Sequence, residues 1–114
     1  MDRAAIEEIF AALGPVAIRR LFGGHGIYHA GLIVGAIMDG DILLKADAET
    51  EPLFVAAGAT QWTYAFKRGT TIRMPYWTIP AAVIDDPDQR ATWVRLALDA
   101  ARRAPSKDRR GHRR

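Results

Sequence analysis

Hydrophobic residues follow helical spacing at both ends of the chain. Near the start, Ile6, Phe10 and Leu13 recur at this spacing, and Gly14-Pro15 ends the run. Near the end, Asp86 can cap a helix with Pro87 at its first position, and an apolar stripe then runs to Ala101. The pattern therefore predicts an N-terminal and a C-terminal helix.

Between these helices, glycine-containing pairs separate runs rich in Ile, Leu, Val and aromatic residues. Gly23-Gly24, Ala30-Gly31 and Asp39-Gly40 are pairs that two-residue hairpin turns favour. They predict a four-stranded antiparallel meander at 18–22, 25–29, 32–38 and 41–45. A short helix at 50–57 and a second hairpin at 62–67 and 70–74 follow. The predicted fold class is α+β, an antiparallel sheet with N-terminal, middle and C-terminal helices.

The turns also predict which residues lie opposite each other, provided that the strands contain no bulges. Leu21 then faces Gly26, Gly26 faces Gly35, and Gly35 faces Leu44. The interior glycines would leave a shallow spot for close approach of a helix backbone. The expected core face is Leu21, Tyr28, Ile33, Ile37, Ile42 and Leu44. The glycines expected to shape the backbone are Gly23, Gly24, Gly26, Gly31, Gly35 and Gly40.

The opposite face of the meander mixes apolar and charged residues, a composition typical of a homodimer seam or a partner groove. The alternative is that the second hairpin or a helix covers it. The residues predicted to form this partner face are Arg20, Phe22, His25, Ile27, Val34 and Leu43.

Charge divides the chain into a folded part and a basic arm. The 114 residues predict one domain, 1–101, followed by a tail, 102–114, that holds seven Lys or Arg and one Asp. Without large apolar residues the tail is expected to be disordered. The chain has no cysteine, no stretch long and apolar enough for a membrane span, and a charged N-terminus, so a cytoplasmic protein is expected.

Clustered Lys and Arg on such an arm can bind phosphate backbones without sequence preference. In the aromatic hairpin, Trp62, Tyr64 and Phe66 share a face, and Arg73 is predicted opposite Tyr64, in reach of a cation-π contact. The alternative is that this strand packs under the last helix. The candidate nucleic-acid contacts are Arg73, Arg102, Arg103, Lys107, Arg109, Arg110, Arg113 and Arg114.

No catalytic, cofactor-binding or metal-binding residue is predicted. The Gly23-Gly24-His25-Gly26 segment leads into a strand and lacks the spacing of a phosphate-binding loop. His25 and His29 would lie roughly 13 Å apart along a strand, too far to share an ion. Asp85-Asp86 is better explained as helix capping.

At residues 20–28, RLFGGHGIY, the chain resembles the TfoX N-terminal domain family, named for the bacterial competence regulator TfoX/Sxy. The resemblance continues through Leu43 to Asp47, Phe54 to Gly58, Tyr64, Met74 to Trp77 with Pro80, and Asp86-Pro87, and covers about residues 3–101. It implies an α+β fold similar to type III secretion chaperones. It carries over no catalytic residue, and the second helical domain of full-length regulators has no counterpart in the tail.

Three functions follow as hypotheses. The first is a non-catalytic regulatory or interaction domain with a protein partner or as a homodimer, linked by resemblance to transcriptional control of competence. The second is a nucleic-acid-binding accessory protein that acts through the basic C-terminal arm. The third is an enzyme or small-ligand binder that uses His25 and Arg20.

Overall fold

The computed structural model describes residues 2–21, 23–65 and 69–105, and it places them in one antiparallel sheet with helices, which confirms the α+β class. The elements are α1 (Arg3–Ile9), β1 (Ala17–Leu21), β2 (Gly24–His29), β3 (Leu32–Met38), β4 (Asp41–Lys45), α2 (Glu51–Ala56), β5 (Gln61–Ala65), β6 (Thr71–Thr78), a 3-10 turn (Ala81–Val83) and α3 (Pro87–Arg103).

Aspartates cap α1 and α3, and for α3 this confirms the predicted cap at Asp86. The Asp2 side chain accepts a hydrogen bond from the Ala5 amide at 2.8 Å, and the Asp86 side chain accepts one from the Gln89 amide at 3.2 Å. Each carboxylate satisfies an amide that the first helical turn leaves unpaired. Helix α3 continues through Arg103, so the folded part extends two residues beyond the predicted boundary. No helix of the described residues is long and apolar enough to cross a membrane.

Two of the three predicted turns have the expected geometry. Ala30 and Gly31 have φ of 52° and 82°, and Asp39 and Gly40 have 52° and 83°. Positive φ at both central residues is the type I′ turn that matches the twist of adjacent strands. The first turn differs, because Leu21 pairs with Gly24 and the connecting residues are 22 and 23 rather than Gly23 and Gly24.

The second hairpin extends the sheet and does not cover it. The strand order is β1-β2-β3-β4-β6-β5, so β6 pairs with β4 and β5 lies at the sheet edge. Leu44 lies opposite Trp77 across the β4–β6 junction. The hairpin therefore leaves the face opposite the helices without a second layer among the described residues.

A β-bulge between β2 and β3 overturns part of the predicted register. Tyr28 pairs with Ile33 as expected, but Ile27 pairs with Gly35, which leaves Val34 as an extra residue in β3. The bulge places Gly26 opposite Ala36 instead of Gly35, and the changed first turn places it opposite Arg19 instead of Leu21, whereas the predicted pair of Gly35 with Leu44 is confirmed. Because side chains alternate, one extra residue moves everything before it to the other face.

The main core lies between the sheet and all three helices, on what we call the helix face. Its fully buried residues include Phe10 after α1, Phe54 on α2 and Val94 on α3. The Phe54 ring stacks on Trp77 at 6.0 Å between centroids and meets Trp93 edge-on at 4.9 Å. Aromatic pairs at these separations add to the stability from area burial alone.

Candidate functional site

The structure separates the six residues predicted to form a partner face. Ile27 and Val34 are fully buried beneath the helices, so that part of the prediction is wrong. Leu43 belongs to the opposite face and is itself 3% exposed. Arg20 and His25 pair across β1 and β2 and remain exposed. Phe22 lies outside the described residues.

The bulge explains this error, because it exchanges the two faces of β1, β2 and the start of β3. Leu21, Tyr28 and Ile33, predicted as core, do share a face, but it is the face away from the helices. Ile37, Ile42 and Leu44 follow the bulge and lie in the main core, as predicted. We call the face away from the helices the open sheet face.

A second, smaller apolar cluster lies at the centre of the open sheet face. Ala36, Met38, Leu43 and Tyr76 are 0–7% exposed, although no helix of the described residues packs on them. Side chains from both ends of the sheet pack against these four residues and shield them from water. Those neighbours are Leu21, Ile33, Trp62 and Met74.

The side of this face formed by β5 and β6 is exposed and apolar. Tyr64 lies directly opposite Ile72, and each is 43% exposed. The Trp62 ring contacts the Tyr64 ring edge-on at 6.2 Å and also packs on the buried cluster. We call Trp62, Tyr64 and Ile72 the apolar rim. It is continuous with the buried cluster, and contiguous exposed apolar surface of this kind is typical of interaction sites.

Two cations on this face are held over aromatic rings. The Lys45 ammonium lies 5.5 Å from the Tyr76 ring centroid, and the Arg19 guanidinium lies 5.6 Å from that of Tyr28. Both distances are within the range of cation-π attraction. The contacts hold positive charge beside apolar surface.

The predicted contact of Arg73 with Tyr64 is wrong. Arg73 lies opposite Thr63 and therefore points to the other face, where its Nε donates to Gln61 Oε1 at 3.1 Å. The pairs of Thr63 with Arg73, Tyr64 with Ile72 and Ala65 with Thr71 are displaced by one residue from the register predicted with Arg68-Gly69 as the turn. Of the other candidate nucleic-acid contacts, Arg102 is exposed on α3. Lys107, Arg109, Arg110, Arg113 and Arg114 lie outside the described residues.

Arg103 is engaged within the fold. Its guanidinium donates to both carboxylate oxygens of Asp47, at 2.7 and 3.1 Å, and lies 3.2 Å from Glu49. The hydrogen bond from Arg103 is the main cause that lowers the pKa of Asp47 below its usual 3.8, and the amides of Thr50 and Glu49 contribute in the same direction. Asp47 raises the pKa of Arg103 in turn. This pairing takes Arg103 away from any phosphate ligand.

The histidines are placed separately. His29 Nδ1 donates to the Pro15 carbonyl oxygen at 2.8 Å, which fixes the proton on that nitrogen and anchors the chain before β1. His25 lies exposed toward the other end of the same strand. In the ranges 2–21, 23–65 and 69–105, no three His, Asp or Glu side chains come together as a metal site would require.

Two features of the site had no signal in the sequence analysis. The pair of Asp47 with Arg103 joins residues 56 positions apart. The exposure of the apolar rim depends on the position of β5 and β6 at the sheet edge. The signal that did exist was the aromatic alternation in β5, which places Trp62 and Tyr64 on one face.

These observations define a small α+β domain with one face covered by helices and the other open and partly apolar. A family model for the TfoX N-terminal domain matches residues 8–101 of the 114. The chain belongs to the TfoX N-terminal domain family. No curated protein gives a significant match to this sequence.

Proposed function

We propose that this chain is a non-catalytic, cytoplasmic regulatory domain that acts in the control of competence by binding a partner protein through its open sheet face. The family supports the process, since it is linked to competence regulation. The observation that carries the proposed mode of action is the apolar rim. It joins an already buried cluster to surface that water still reaches.

The physical argument rests on what would be gained by covering the rim. Tyr64 and Ile72 expose apolar area to water. Burial of that area under another surface would contribute about 25 cal/mol per Å². Trp62 is held by its contacts with Tyr64 and with the buried cluster, so little side-chain entropy remains to be lost. Preorganised aromatic residues of this kind are frequent anchors in protein interfaces.

The charges beside the cluster define the partner further. Lys45 over Tyr76 and Arg19 over Tyr28 place cations beside the apolar centre. Positive charge beside an apolar centre is complementary to a partner whose apolar patch has acidic residues at its edge. A second copy of the chain is the competing occupant, and the mass in solution distinguishes the two.

A matched pair of isoleucines tests the proposal. Ile72 on the rim is 43% exposed, and Ile84, before α3, is 40% exposed outside the rim. We expect Ile72→Ser to lower the transformation frequency of the native host and to remove a partner recovered by cross-linking, and Ile84→Ser to change neither. Equal thermal stability of the two variants shows that the effect comes from the surface.

Two results would reject this function. One is an unchanged transformation frequency after the gene is deleted from a host that takes up DNA. The other is equal activity and equal cross-linking of the Ile72→Ser and Ile84→Ser variants. Light scattering that gives twice the monomer mass, abolished by Ile72→Ser, would identify the occupant as a second copy instead.

A further inference from the structure

Strand β1 forms the edge of the sheet opposite the apolar rim. Among the described residues it pairs only with β2, so the other side of its backbone has no strand partner there. The hydrogen bond from His29 to the Pro15 carbonyl oxygen anchors the chain two residues before this strand. An edge strand held in place in this way presents a preformed row of amide and carbonyl groups.

The charge around β1 is entirely positive. Arg19 and Arg20 are consecutive and exposed, so they project to opposite faces of the sheet. The sequence from 9 to 38 contains no Asp or Glu, and no carboxylate of the described residues forms an ion pair with either arginine. Arg19 stacks on the uncharged Tyr28 ring, and Arg20 lies opposite His25 across β1 and β2.

A shallow cavity accompanies each arginine. One, of about 550 Å³, is lined by residues that include Ala17, Arg19 and Tyr28. The other, of about 360 Å³, is lined by residues that include Arg20 and His25. Neither has a carboxylate in its lining. The first cavity lies at the start of β1, beside Pro15, and the second lies at its end, beside Gly23 and Gly24.

We propose that β1 binds an acidic extended segment of a partner protein, which joins the sheet as an added edge strand. Backbone hydrogen bonds to β1 supply affinity, and the side chains supply specificity. Two adjacent carboxylates on the segment point to opposite faces, so one meets Arg19 and the next meets Arg20. Hydrogen bonds between guanidinium and carboxylate groups are among the stronger ones in proteins.

The same charges argue against a second copy of the chain on this edge. Antiparallel pairing of two β1 strands about their centres sets Arg19 directly opposite the Arg19 of the other copy, with Arg20 beside it. Like charges directly opposite each other destabilise a strand pair, and cationic edges are a common protection against self-association. An acidic segment removes this repulsion. The site shares Arg19 with the open-face proposal but is distinct from the apolar rim, because β1 and β5 lie at opposite ends of the sheet.

The test uses the full chain and a fluorescent synthetic peptide in which two adjacent glutamates are flanked by valines and threonines. Arg19→Gln and Arg20→Gln should each weaken binding about tenfold, the scale expected for loss of one charge-assisted pair. Arg95→Gln removes an exposed positive charge from α3 and should leave the affinity unchanged. Ile72→Ser, on the rim, should also bind as the wild type does, which separates this site from the open sheet face.

The backbone contribution is tested with two further peptides of the same sequence. Each is N-methylated at alternate residues, one on the edge that would face β1 and the other on the opposite edge. Methylation on the edge that faces β1 should abolish binding, whereas methylation on the other edge should not. Equal binding of both methylated peptides, an equal loss of affinity in Arg95→Gln, or no binding at low salt would each overturn the proposal. A non-specific DNA duplex is the last competitor. If it displaces the peptide, and if its own binding requires Arg19 and Arg20, the edge is a nucleic-acid site and the proposal is overturned.

Discussion

Arg103 Nε donates to Asp47 Oδ2 at 2.7 Å, and Arg103 Nη2 donates to Asp47 Oδ1 at 3.1 Å. This two-point contact ties the last turn of α3 to the loop before α2. The same carboxylate accepts the amides of Glu49 and Thr50, so it also shapes that loop. A residue that composition assigned to a basic tail is therefore a structural part of the domain.

Replacement of Asp47 by Asn should destabilise the fold in a pH-dependent way. The pKa of Asp47 is lowered in the folded state, chiefly by the hydrogen bond from Arg103, so its contribution is fully present above the unfolded value near 3.8. It is lost as the pH falls through the lower folded pKa. We expect Asp47→Asn to cost about 1 kcal/mol at neutral pH, the upper end of the range for an exposed ion pair, and much less in strong acid.

Urea unfolding of the wild type and of Asp47→Asn at pH 7 and at about pH 2 measures this difference. Asp41→Asn, which alters an exposed carboxylate at the start of β4, is the control and should unfold like the wild type at pH 7. A destabilisation by Asp47→Asn that is equally large in acid would show that the carboxylate charge is not its cause.

Two strand glycines should tolerate alanine very differently. A Cβ on Gly35 would lie 2.5 Å from the Leu43 carbonyl oxygen and 3.2 Å from the Phe10 ring. A Cβ on Gly26 would approach only side-chain atoms, the nearest being Tyr28 Cε1 at 2.9 Å. We expect Gly35→Ala to cost about 2–3 kcal/mol and Gly26→Ala less than about 1, because side chains can rotate away and a paired backbone cannot.

Thermal unfolding of the two alanine variants gives the comparison directly. The register inferred from the sequence made Gly26 and Gly35 neighbours in one shallow spot, and that arrangement predicts similar costs for both. An equal loss of stability in the two variants would therefore contradict the bulged register and favour the unbulged one.

Two truncations separate the structural part of the C-terminus from any role in nucleic-acid binding. Removal of 106–114 retains Arg103 and should leave the melting temperature unchanged, whereas removal of 102–114 deletes the contact with Asp47 and should lower it. If the arm binds nucleic acid, both truncations weaken binding to random DNA. The salt dependence of that binding also falls, because a shortened arm neutralises fewer phosphates and so releases fewer counterions. Fluorescence anisotropy at increasing salt concentration measures the affinity and its salt dependence. Unchanged DNA binding after both deletions would show that the arm is not the binding site.

Much of the local structure could be predicted from short stretches of sequence. Gly31, Asp39 and Gly40 adopt positive φ values that their residue types tolerate, Ala30 adopts one despite its Cβ, and Asp86 with Pro87 starts α3 as expected. These features depend on steric and hydrogen-bonding preferences within a few residues. For the same reason the predicted helices and strands exist, with boundaries shifted by a few residues.

The tertiary structure decided which side chains of each strand face the helices and which face away from them. The extra residue Val34 is apolar and β-branched like Ile33 before it, so its own residue type does not mark it as a bulge. It follows from the need to bury both Ile27 and Val34 under the helices while Gly35 admits the Phe10 ring. Residues close in sequence thus determined the elements of this protein, whereas its exposed face and the pair of Asp47 with Arg103 depend on packing between distant segments, which no local pattern encodes.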